Sequence, residues 1–291
     1  MWNGSDTKIF FGRRLASKVR TRSVLEKPRF TTVLTKRRKF VMVSILLSLG
    51  LFVIQKIPVE QRYFAILLLG LFSYGLSAWA LVKDLYGIAW VNNLILPTIY
   101  PVAVALFYFL LPQELLVRMV VTVVFAISMY ALLLTANIFA VASIRTIQLL
   151  RAARVIGFLL TVLTSVFIFH VIFSLKIALL PVLGLTFGVS ILLFLQGVWS
   201  HTLSVRSQQK EWIYALVGAV VVTEAAMAMS FWLVDVAMVG IMLGMMVYVI
   251  LGLFQQDLDK RLFARTTQEY LGFAGIVFVV IAITVIYRWM N

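Results

Sequence analysis

Between residues 212 and 255 the chain offers water almost nothing, for the only charges there are Glu224 and Asp235. A helix of ~20 apolar residues already crosses the hydrocarbon of a bilayer. This run is too long for one crossing, so it divides into two helices that turn at Asp235. The same reading along the whole chain gives apolar runs near residues 40–54, 63–82, 89–111, 119–142, 155–174, 177–198, 213–234, 236–254 and 270–287. Hydrophobic residues make up 63% of the 291, more than a soluble fold of this length can hide. The expectation is an all-α polytopic membrane bundle of about nine transmembrane helices, with residues 40–291 as a single transmembrane domain.

Charge sets the orientation. Twelve of the 26 Lys and Arg fall in residues 1–39, so the net charge of +15 is concentrated ahead of the first span. Such a tail predicts binding to anionic lipid head groups of the bilayer rather than to nucleic acid. Ile9, Phe10, Leu15 and Val19 interleave with Arg13, Arg14 and Lys18, which fits an amphipathic surface helix or a disordered basic anchor. The remaining basic residues favour loops on the amino-terminal side, which gives an N-in, C-out topology. Trp79, Trp90, Trp199 and Trp212 fall at expected inner ends, and Trp232 and Trp289 at outer ends. That is the distribution of an aromatic belt.

Glu224 is the residue to explain. On a span over 213–234 it lies near the middle, where an ionisable side chain is costly and marks a functional site unless it is otherwise satisfied. Ala215, Gly218, Ala219, Thr223, Ala225, Ala226 and Ala228 share its helix, a composition suited to a helix packed among others. Two readings stand: a protonated acid packed in the bundle, or a group on a proton or cation pathway. The third span carries Pro97 and Pro101 around Tyr100. Prolines remove backbone donors and kink or interrupt a helix, and freed carbonyls at such breaks line transporter sites. Glu224, Thr223, Pro97, Tyr100 and Pro101 therefore form the candidate pathway. Asn92, Asn93, Asn137 and Gln196 fall toward the inner ends of their spans and form a candidate inner polar cluster, or else separate interhelical hydrogen bonds.

Two glycine pairs at four-residue spacing, Gly184 with Gly188 and Gly240 with Gly244, permit close helix contact. They serve packing within the chain or a homo-oligomer. Six of the 11 methionines lie between Met227 and Met246, a composition suited to adaptable packing more than to a metal. The chain has no cysteine and two histidines, His170 and His201, so no metal site and no cofactor is expected. Phosphate-loop, zinc-protease, nucleophile-elbow and dinucleotide motifs are missing from the sequence. Asp257 and Asp259 sit in an inner loop beside Lys260 and Arg261, and two carboxylates alone make a poor magnesium site. The balance is against an enzyme.

The segments Glu211-Trp212-Ile213-Tyr214-Ala215-Leu216, Thr223-Glu224-Ala225-Ala226-Met227-Ala228-Met229-Ser230-Phe231-Trp232 and Val247-Tyr248-Val249-Ile250-Leu251-Gly252-Leu253, with the loop 255–270, resemble uncharacterised polytopic membrane proteins of candidate-phylum bacteria. Such proteins carry a proline soon after the Phe-Trp pair, where this chain has Leu233 and Val234. The resemblance implies a bacterial plasma (inner) membrane and no known activity. The leading expectation is a transporter-like protein with a pathway past Glu224 and the Pro97–Pro101 break. The alternatives are a non-catalytic membrane scaffold or assembly factor and, more weakly, a lipid-modifying enzyme.

Overall fold

The computed structural model describes residues 36–112, 114–144, 148–206, 208–232, 234–260 and 264–290. The surface-helix reading of the basic tail lies outside them. The described residues form nine helices: α1 (Lys36–Ile54), α2 (Val59–Leu81), α3 (Ala89–Tyr108), α4 (Leu115–Ala142), α5 (Leu150–Ser174), α6 (Leu179–Thr202), α7 (Gln209–Ser230), α8 (Val236–Leu258) and α9 (Ala264–Met290). Eight of these, all but α1, are long and apolar enough to cross a membrane. The first turn of α1 is Lys36-Arg37-Arg38-Lys39, and the apolar stretch that follows is short of the ~20 residues a crossing takes.

The basic tail read over residues 1–39 thus overlaps α1 by one turn. Most helices run about a turn beyond the apolar stretch on one side; α7 begins at Gln209 and stops at Ser230, where hydropathy expects 213–234. Backbone hydrogen bonding continues through polar flanks that a hydropathy window discards.

Helices α1 to α4 surround one apolar core, built on Leu47, Leu51, Leu81, Leu94, Phe125 and Leu133. Helices α5 to α8 surround a second, built on Phe169, Phe194, Val222, Leu243 and Leu251. Neighbour order repeats between the two groups: α1 packs on α4 and α2 on α3, as α5 packs on α8 and α6 on α7. No internal repeat is visible in the sequence, because any aliphatic residue satisfies either core. Helix α3 also packs against α5 and α6 and joins the groups, while α9 packs against α8.

Polar contacts gather the starts of α1, α3, α5 and α7 with the ends of α2, α6 and α8 at one end of the bundle. Lys36 pairs with Asp84 at 2.7 Å, and the Lys39 ammonium sits 4.5 Å over the Trp79 ring. The N–H of Ile88 donates to the Val205 carbonyl at 3.2 Å, and Gly87 takes φ +55° where the Val205 carbonyl would meet any side chain. The charge count along the sequence predicts this end to be the inner one.

Candidate functional site

Helix α7 is two-sided. Ala215, Gly218, Ala219, Val222 and Ala226 are its buried face, and at Gly218 an added Cβ would meet the Phe194 ring at 2.9 Å. Successive residues turn by ~100°, so Glu224 lies on the side opposite to that face. Glu224 is exposed, and it makes no hydrogen bond or ion pair with the described residues. The small residues of α7 therefore do not mean a helix enclosed all round; they lie toward α6, and the acid faces away. Because α7 ends at Ser230, Glu224 lies ~9 Å from that end rather than at the midpoint. Thr223, half-buried, donates to the Ala219 carbonyl of its own helix at 2.7 Å.

Pro97 and Pro101 lie inside a continuous α3. Pro101 has no N–H for the carbonyl of Pro97. Ser73 of α2 supplies the donor, with its hydroxyl 2.6 Å from that oxygen. Tyr100 is buried; its ring stacks on Phe125 at 5.7 Å and its hydroxyl is hydrogen-bonded to Ser128 at 2.5 Å. The prolines and Tyr100 thus staple α3 to α2 and α4. The structure keeps Pro97, Tyr100 and Pro101 together in the core and does not bring Glu224 or Thr223 to them, since α7 packs on α6 and α8.

Of the four residues in the inner polar cluster, two meet. Asn93 and Gln196 line one void of about 10 Å³ together with Pro97, Thr135 and Gly157, about the room one water takes up. Asn93 donates to the Ala136 carbonyl at 2.8 Å, and Gln196 accepts from Thr161 at 3.2 Å. Asn92 is buried and its amide nitrogen has no hydrogen-bond partner among the described residues; the same holds for the Asn137 amide oxygen, and neither residue lines the void. A second and larger space, about 410 Å³, is apolar. It lies among α7, α8 and α9 and is lined by Met229, Met242, Met245 and Met246.

Sequence reasoning missed the polar network at the end of the bundle where α7 begins. Glu211 is buried, yet its carboxylate accepts from Thr202 at 2.6 Å and from Ser204 at 2.5 Å. With Gln208 it closes a capping box on α7. His201 pairs with Asp259 at 2.8 Å, and Arg154 donates to the His201 carbonyl at 2.9 Å. Tyr214 donates to Asp257, and Gln255 to the Gly197 carbonyl at 3.3 Å. Asp257 and Asp259 thus go to different partners and do not act as one acidic pair. Among the described residues no group of three or more His, Asp or Glu is placed to hold a metal ion. Trp199, read as a belt residue, is fully buried and donates its indole N–H to the Ser204 carbonyl at 3.0 Å.

Comparison with known proteins gives one match. The model of a family described as protein of unknown function (DUF5656) covers residues 78–284, from the end of α2 into α9. No curated protein and no solved structure matches.

Proposed function

The chain belongs to this family of unknown function, and we propose that it is a non-catalytic multi-pass protein of the bacterial plasma membrane that works by lateral association, as a scaffold or assembly factor. In this reading α1 makes a ninth crossing, the amino terminus is cytoplasmic and its basic tail rests on anionic lipid. One observation carries the reading: among the described residues Glu224 is exposed, on the side of α7 opposite its buried face. A carboxyl group inside hydrocarbon is costly, and burial against protein relieves that cost. The pathway reading requires Glu224 and the Pro97–Pro101 segment to share a cavity, and they lie on helices that are not neighbours.

The test is photo-crosslinking of the full-length protein in native membranes. A photoreactive residue in place of Val220 or Met227, on the exposed side, is expected to attach to protein. The same residue in place of Val222, on the buried side, is expected to give no adduct. Silence from both exposed positions would end the association reading.

The polar void between Asn93 and Gln196, with room for about one water, supports a second reading, passage of water or a proton through the bundle beside Pro97. It predicts that N93L and Q196L abolish a flux measured in proteoliposomes while leaving the fold intact. Unchanged flux in both variants would refute it.

A further inference from the structure

We infer that one water molecule is bound between α3, α4 and α6, where it takes the place of the backbone donor that Pro97 lacks. This goes beyond the association reading and depends neither on it nor on passage through the bundle. In a helix the N–H of residue 97 would donate to the carbonyl of Asn93, four residues back, and proline has no N–H to give. The second break in α3, at Pro101, is answered by the Ser73 hydroxyl. Among the described residues no side chain donates to the Asn93 carbonyl. Helix α3 is long and apolar enough to cross a membrane, where lipid offers no donor in exchange.

The polar void lies at this break. Asn93 and Pro97 of α3 line it together with Thr135 of α4 and Gln196 of α6. Its volume of about 10 Å³ suits one water, which takes two to four polar partners. Three groups there have capacity to spare. The Asn93 main-chain carbonyl accepts. Gln196, 3% exposed, uses its amide oxygen toward Thr161, which leaves its NH2 group to donate. Thr135 is 5% exposed, and its hydroxyl has no hydrogen-bond partner among the described residues. A water that donates to Asn93 and accepts from Gln196 meets Thr135 as its third partner. A cation fits less well, since no carboxylate lines the void and a buried charge needs one. Thr135 belongs to the first group of four helices and Gln196 to the second, so the water fastens the two groups across α3.

The test begins with T135V in the full-length protein, because this change keeps the shape and removes only the hydroxyl. With a water bound, T135V takes away one of its partners. The ratio of folded to unfolded protein in detergent is then expected to fall by about 2- to 12-fold, the range of one hydrogen bond. In a dry void the same change would free a buried hydroxyl from having no partner, and the ratio would hold or rise. P97A gives the Asn93 carbonyl a helical N–H and so removes the water's acceptor. T135V is therefore expected to cost less in the P97A background than in the wild type. The direct reading is a high-resolution map of the full chain in lipid discs. Density is expected ~2.7–3.2 Å from the Asn93 carbonyl and the Gln196 amide, and it is expected to be lost in P97A.

A ratio that T135V leaves unchanged or raises would overturn the inference, as would an ordered wild-type map with no density at that point. Equal costs of T135V in both backgrounds would overturn the role at Pro97. Should P97A fail to fold, the sign of the T135V effect and the wild-type map still decide the matter. The readings above fail separately: density without flux would end passage and keep the bound water, and silence from crosslinking on α7 would end association alone.

Discussion

Pro101 lacks an N–H, and the carbonyl this leaves open, that of Pro97, takes a hydroxyl from another helix. The exchange makes a precise prediction. S73A leaves a buried carbonyl without a donor and is expected to cost about 1–2 kcal/mol. P101A restores the helical N–H to Pro97, so S73A in that background is expected to cost much less. A double-mutant cycle on unfolding in detergent measures the coupling; equal costs in both backgrounds would refute the account. The sequence displays the two prolines but not their remedy, because Ser73 lies 24 residues from Pro97 and serines are common in apolar helices. For the same reason Glu211 passed unnoticed as a buried acid. Its partners Thr202 and Ser204 reach it only across the turn between α6 and α7. Glu224 was legible as an acid within an apolar run. That it faces outward was not, because counting small residues along α7 ignores which side of the helix carries them.

At the scale of the element, two identical glycine spacings have opposite uses. Gly240 and Gly244 bring α8 onto α5. A Cβ at Gly240 would lie 3.0 Å from the His170 backbone, and one at Gly244 would collide with Val166. Gly184 and Gly188 of α6 have nothing within 4 Å of such a Cβ. G240A and G244A are therefore expected to destabilise by about 1–3 kcal/mol through overpacking. G184A and G188A are expected to stay within about 0.5 kcal/mol of the wild type. Thermal unfolding of the four variants in one detergent decides the matter, and a loss at Gly188 equal to that at Gly240 would contradict this packing. Spacing made both motifs legible as close-contact candidates. It carried no information on which had a helix opposite, since that depends on pairing α5 with α8 across a long stretch of chain. Helix existence, by contrast, was legible almost throughout, because ~20 apolar residues have few other ways to satisfy their backbone.

For the whole molecule, the open quantity is the parity of the crossings, and α1 decides it. Its four basic residues, Lys36 to Lys39, sit at the polar end of the bundle, where Lys36 pairs with Asp84 and Lys39 lies over Trp79. Arg154, His201, Glu211, Asp257 and Asp259 are bound into that same end. Such a concentration of charge is expected on the cytoplasmic side, where basic flanks are retained. If α1 crosses, the turn at Lys56 lies on the other side from the amino-terminal tail. Single cysteines S5C and K56C, probed in intact cells with a membrane-impermeant maleimide, separate the possibilities. Labelling of K56C from outside, with S5C reached only after permeabilisation, is the result expected of an N-in chain in which α1 spans. Labelling of both from one side would make α1 a surface helix and leave eight crossings. The polar end would then have to be placed by the remaining helices, whose contacts with one another do not depend on α1 crossing, so the outward face of α7 would keep its place in either case.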